Sequence, residues 1–228
     1  MAENVTLHPT GVEVAEERKS ARTVMAGTIA EGIAGGGAVV LSIVGLSRIS
    51  PDLMLNIATL AMGAALLLEG GAVSMRFSKL LRETRSARIM EETEFGVGVS
   101  AEFLGGVAGI VFGILSLAGV ASATLIPIAV LVFGATLILG SGATVRLNAL
   151  DIEGSKVPDR IKRITHEAVT AAAGVQLLLG LAGVVLGILA LIGTDPQVLC
   201  LAALLAVGVS GFLDAAAITA RMASLYHY

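Results

Sequence analysis

A long apolar hairpin occurs three times in this chain, from Glu31 to Leu80, from Glu102 to Leu150 and from Gln176 to Leu225. Adding 71 to the numbers of the first copy lays Glu31 on Glu102, Gly35 on Gly106, Pro51 on Ser122 and Gly63 on Gly134. Adding a further 74 reaches Gln176, Gly180, Pro196 and Gly208. The match is plainest between GGVAGIVFGILSLAGV (105–120) and LGLAGVVLGILALIGT (179–194). Each hairpin holds two runs of more than 18 residues broken by at most one ionisable group, enough to cross ~30 Å of hydrocarbon. In lipid the backbone must satisfy its own hydrogen bonds, which a helix does within one segment. The repeat therefore predicts an all-α membrane protein: six transmembrane helices arranged as three helical hairpins with pseudo-three-fold symmetry.

The spans fall at about 24–47, 53–75, 97–120, 124–145, 168–193 and 197–219. A polar arm (1–23) precedes a single six-helix domain (24–225), with hairpins 24–80, 97–150 and 168–225 and connections 77–95 and 147–167. Composition agrees. Only 14% of residues are charged, against about a quarter in soluble domains, and mean hydropathy is +0.89. Alternating ten-residue segments of the kind barrels need are missing. Residues 1–23 have no apolar core, so no cleavable signal peptide is expected.

Of 15 Lys and Arg, the three short hairpin turns hold only Arg48; the rest lie in the arm, the two long connections and the tail. Basic loops stay inside. Both termini and both long connections are thus expected on the cytoplasmic side of an inner membrane. The net charge of −3 carries little weight, because Asp and Glu hardly influence topology. Cys200 is the one cysteine, which excludes an intramolecular disulfide and a cysteine metal motif.

There are 28 glycines, and those in the spans follow small-xxx-small spacing: Gly105, Gly109 and Gly113 in the third span and Gly183 and Gly187 in the fifth, with Ala34, Ala38 and Ser42 at the matching places of the first. Small residues let helices approach closely in lipid, where association comes from packing. These faces are expected to join the odd-numbered spans, either at the bundle centre or against a second copy. The absence of Trp and an aromatic content of 4% leave no aromatic belt and disfavour a large ligand pocket.

Four acids fall inside the spans: Glu31, Glu69, Glu102 and Asp214. The repeat relates them, with Glu31, Glu102 and Gln176 at one position and Glu69, Gly140 and Asp214 at another. At 1.5 Å per residue all four sit roughly 10 Å below the inner surface. A carboxylate there costs about 1–3 kcal/mol, so it is protonated, paired or wet. One reading is a ring of acids at the mouth of a proton or cation pathway. The other is that they hydrogen-bond neighbouring helices and fix packing. Thr28, Ser42, Thr59, Thr136, Ser141, Thr144 and Ser210 are scattered and can each bond to their own helix. In the connection FSKLLRETRSARIMEETE, Arg82, Arg85 and Arg88 recur every three residues, as in a helical extension or a helix lying on anionic lipid, or equally in a solvated linker helix.

No HExxH, Walker loop, GxSxG or Cys/His cluster is present, so no enzyme, cofactor or metal site is expected. The histidines (His8, His166, His227) stand apart.

In its hairpins the chain resembles the HdeD-like acid-resistance membrane proteins, whose first helix reads GxxxGIxxL before a short Pro-bearing turn. The residues carrying the likeness are Gly109, Gly113, Ile114 and Leu117, and Gly183, Gly187, Ile188 and Leu191, with Gly134-Gly140 and Gly208-Asp214 in the second helices. It covers about residues 25–225 and implies a six-helix inner-membrane protein linked to stress tolerance. The residues themselves lead to a non-enzymatic integral membrane protein with a structural or accessory role. Its expected partners are membrane lipids and a second copy or another membrane protein; nucleic acid is not among them. Transport of protons or small cations is the rival, and lipid remodelling by the Arg82/Arg85/Arg88 helix a third reading.

Overall fold

In a computed structural model, the backbone is described for residues 29–30, 32–83, 89–154 and 159–225, and side chains for 29–30, 32–71, 101–142, 170–213 and 215. Six helices follow in order: α1 (Gly32–Leu46), α2 (Pro51–Glu83), α3 (Ile89–Leu117), α4 (Ser122–Gly154), α5 (Asp159–Ile192) and α6 (Pro196–Leu225). No strand occurs among the described residues. Four helices are long and apolar enough to cross a membrane, over Pro51–Gly71, Ser122–Gly142, Thr170–Ile192 and Pro196–Leu213. Gly32–Leu46 and Ala101–Leu117 are shorter apolar helices over the described residues. The protein is an all-helical membrane protein.

At 1.5 Å per residue, the 33 residues of α2 and of α4 reach about 50 Å. That exceeds the hydrocarbon core, so these helices run on beyond the lipid at the side opposite the short turns. The stretch 151–167 is helical up to Gly154 and again from Asp159. The basic stretch after residue 77 continues α2 to Glu83.

The three short turns share one backbone path. Arg48, Gly119 and Gly193 have φ of 64°, 81° and 97°, and Ser50, Ala121 and Asp195 have φ of 43°, 41° and 42°. In each, an amide reaches back five residues: Ile49 to Val44, Val120 to Leu115 and Thr194 to Leu189. This is the Schellman ending that places a left-handed residue just after a helix. Glycine takes that place at no cost, whereas Arg48 carries a Cβ there. Arg48→Gly should therefore raise stability by about 1 kcal/mol. Thermal unfolding in mild detergent would show it, and an unchanged midpoint would count against the turn being strained.

The centre of the bundle is built by α2, α4 and α6, which touch one another. Their side chains fill it: Met62, Phe133 and Val207, one from each helix, are at most 1% exposed. Ala58, Ala129 and Ala203 are buried beside them. The odd-numbered helices lie outside and turn apolar faces outward; Ile33, Leu104 and Leu178 are 71%, 64% and 66% exposed. Side chains like these are at home against acyl chains.

This corrects the expectation that glycine faces join odd-numbered spans to each other. Each face is taken by an even-numbered helix. Gly105 abuts Thr136 and Gly109 abuts Phe133, both on α4, and Gly113 packs on Leu60 of α2. Gly183 lies on Gly134, and Gly187 on Leu131, both of α4. The reason is geometric: bulky residues such as Met62 and Phe133 need the roomier centre, and small residues let the outer helices close on it.

Three glycine pairs absent from that spacing pattern bring facing backbones together. A Cβ at Gly106 (α3) would stand 2.6 Å from the Leu67 amide nitrogen and 2.8 Å from the Gly63 carbonyl on α2. One at Gly134 (α4) would stand 2.6 Å from the Gly180 carbonyl of α5. Gly35 of α1 meets Gly208 of α6, with 3.2 Å to its carbonyl.

Candidate functional site

The acid layer is where sequence chemistry and structure meet. Glu102 is 3% exposed, because α3 is wedged between α2 and α4 at this level. Its Cβ lies 3.2 Å from the place a Cβ on Gly70 would take, and its Oε1 occupies the place a Cβ on Gly140 would need. Two glycines on two neighbouring helices thus make room for one carboxyl. Glu69 is half-buried and directly precedes Gly70. Gln176, the counterpart of Glu102 in the third hairpin, is also 3% exposed. Glu31 and the side chain of Asp214 lie outside the described residues, as do the side chains of Arg82, Arg85, Arg88 and His166.

Of the hydroxyls expected to bond to their own helices, Thr59, Thr136 and Ser141 do so, whereas Ser42 Oγ is buried without a hydrogen-bond partner. Thr59 Oγ1 donates to the Leu55 carbonyl at 2.8 Å, Thr136 Oγ1 to Val132 at 2.7 Å and Ser141 Oγ to Ile138 at 2.8 Å. Among the described residues no group of three or more His, Cys, Asp or Glu is placed to hold a metal ion.

A second polar region, at the turn end, was not singled out from the sequence. Buried Ser116 of α3 donates to Asn56 Oδ1 of α2 at 2.6 Å. Its one hydrogen is then committed, so Ser122, 2.7 Å away at the start of α4, donates to it. Gln197 Nε2 of α6 donates to Asp52 Oδ1 of α2. These bonds tie the starts of α2, α4 and α6 together around a cavity of about 370 Å³ lined by Asp52, Leu55, Ser122, Ile126, Asp195 and Cys200. The available signal was Asn56 and Ser116, polar residues inside apolar runs whose counterparts in the other hairpins, Pro127 and Leu201 for Asn56 and Gly45 and Ala190 for Ser116, carry no hydrogen-bonding side chain.

Taken together, the arrangement holds helices at fixed depth through buried polar contacts at both ends, with an apolar centre between. No family model, no curated protein and no solved structure matches this chain.

Proposed function

We propose that the chain is a non-enzymatic integral membrane protein with a structural or accessory role, built as three equivalent hairpins around a pseudo-three-fold axis. The observation that carries this reading is the filled axis: Met62, Phe133 and Val207 close it at mid-bundle. The three turns with one backbone path and the three Gly–Gly crossings at corresponding repeat positions support the symmetry. The distribution of Lys and Arg puts both termini and the long connections in the cytoplasm. The resemblance to the HdeD-like proteins adds a role in stress tolerance at the inner membrane.

Self-association was expected through the glycine faces, but α2, α4 and α6 already occupy them. Contact with a second copy or another membrane protein would use the outward apolar faces around Ile33, Leu104 and Leu178. Buried Glu102 favours a second reading, transport of protons or small cations through a route beside the axis, in which Glu31, Glu69 and Asp214 would join it.

Reconstituted liposomes separate the two. Proton and sodium fluxes of the wild type are expected to equal those of protein-free vesicles, and Glu102→Gln should change nothing. A wild-type flux abolished in Glu102→Gln would overturn the structural reading in favour of transport.

A further inference from the structure

The cavity at the turn end has the make-up of a binding site. It lies between the starts of α2, α4 and α6 and measures about 370 Å³. Leu55, Ile126 and Cys200, which occupy one position of the repeat, give it an apolar floor. All three are at most 5% exposed, and the Cys200 thiol is free. Seven residues deeper along the same helices, Met62, Phe133 and Val207 close the bundle, so the cavity does not continue along the axis. A cup of this size, apolar below and polar at the rim, has the form of a small-molecule site.

The rim carries charge of both signs. Asp52 and Asp195 line it, and no Lys or Arg does. Gln197 Nε2 engages one oxygen of Asp52, which leaves the site with two carboxylates and no cation to balance them. The positive partner is the start of α4. Ser50 and Asp195 precede the prolines that open α2 and α6, whereas Ala121 precedes Ser122 and offers no side-chain acceptor. The amides of Thr124 and Leu125 both turn back to the Ala121 carbonyl, at 2.9 and 3.0 Å. Those of Ser122 and Ala123 precede the first turn of hydrogen bonds and have no acceptor among the described residues, and both residues line the cavity. Orphan amides at the positive end of a helix dipole suit a carboxylate.

We propose that this cavity binds a small zwitterion of the α-amino acid class, its ammonium group on Asp52 and Asp195 and its carboxylate on the amides of Ser122 and Ala123. An aliphatic side chain would rest on Leu55, Ile126 and Cys200. A simple cation leaves the amides unused, and a simple anion meets two carboxylates; a ligand with both charges answers the whole rim. With the turns on the outer side, as the distribution of Lys and Arg implies, the ligand comes from outside the cell. This inference goes beyond the structural or accessory role and does not depend on the acid layer.

Equilibrium dialysis of the full chain in phosphatidylcholine nanodiscs, against radiolabelled glycine, alanine and leucine, tests it. At least one is expected to bind saturably. For leucine the single-charge analogues are isopentylamine and 4-methylpentanoate, for alanine ethylamine and propionate, and for glycine methylamine and acetate. Each should compete at least about tenfold more weakly than its amino acid, the effect of losing one charge-assisted set of hydrogen bonds. Asp195→Asn and Asp52→Asn, which keep shape and remove charge, should each weaken the amino acid and its amine. Ser122→Pro gives α4 the residue that opens α2 and α6 and removes one amide. It should weaken the amino acid and leave the amine as it was. No saturable binding of any of the three would overturn the proposal. So would an amine or acid that competes as well as its amino acid, or binding that survives all three substitutions.

Discussion

Gly134→Ala should destabilise the protein by about 3 kcal/mol, the upper part of the range for overpacked interiors. The added methyl group would meet the Gly180 carbonyl at 2.6 Å and the Val184 amide nitrogen at 2.7 Å. Both are backbone atoms of α5 and cannot rotate aside, so α4 and α5 must part along their length. Gly106→Ala meets the same obstacle on α2 and should cost as much. Gly208→Ala should cost less, since its nearest neighbours stand at 3.1 Å. Gly142→Ala is the control: nothing lies within 4 Å of its Cβ, and helix propensity favours alanine by up to about 1 kcal/mol. Thermal unfolding of the four variants in one detergent gives the ranking. Equal midpoints for Gly134→Ala and Gly142→Ala would remove the crossing from its place at the heart of the packing.

The second large effect is a coupling. Gly140→Ala puts a methyl group where the Glu102 carboxyl lies. The carboxyl must then move within a site that is 3% exposed, at a cost of about 2 kcal/mol. In a Glu102→Ala background the same methyl group has space, and the cost should largely vanish. The double-mutant cycle should therefore return an interaction of about 1–3 kcal/mol. Strict additivity would show that Gly140 is glycine for some reason other than housing Glu102.

Much of this architecture can be read from residue order. The apolar runs specify helices and the short turns between them, because each is a local demand: backbone hydrogen bonds closed within a segment and a proline or small residue where the chain reverses. Pro51 and Pro196 open α2 and α6 as the sequence suggests. The candidate site is legible only in part. The spacing places Glu102 at the level of Glu69, but nothing in the spacing shows that Gly70 and Gly140 make room for it, since those residues come from two other helices.

The small-residue stripes illustrate the limit more sharply. Gly109 and Gly113 announce a close helix neighbour, yet a stripe does not say which helix. The stripes were assigned to odd–odd contacts, while α2 and α4 are what they meet. The pattern also passed over Gly106, Gly134 and Gly180, where backbones approach most closely. Crossing points depend on the angle between helices, which side chains on both partners set together.

The sequence by itself determined a bilayer-resident chain, its apolar helices and where its short turns fall. Each of these follows from hydropathy, hydrogen-bond closure and backbone preference acting within a few residues. Only the tertiary structure decided that the even helices fill the centre, that Glu102 is enclosed by two glycines, and that Gly106 and Gly134 meet backbone more closely than Gly35 does. Those outcomes rest on volumes matched between distant segments, where a methyl group on one helix is judged by what stands opposite on another.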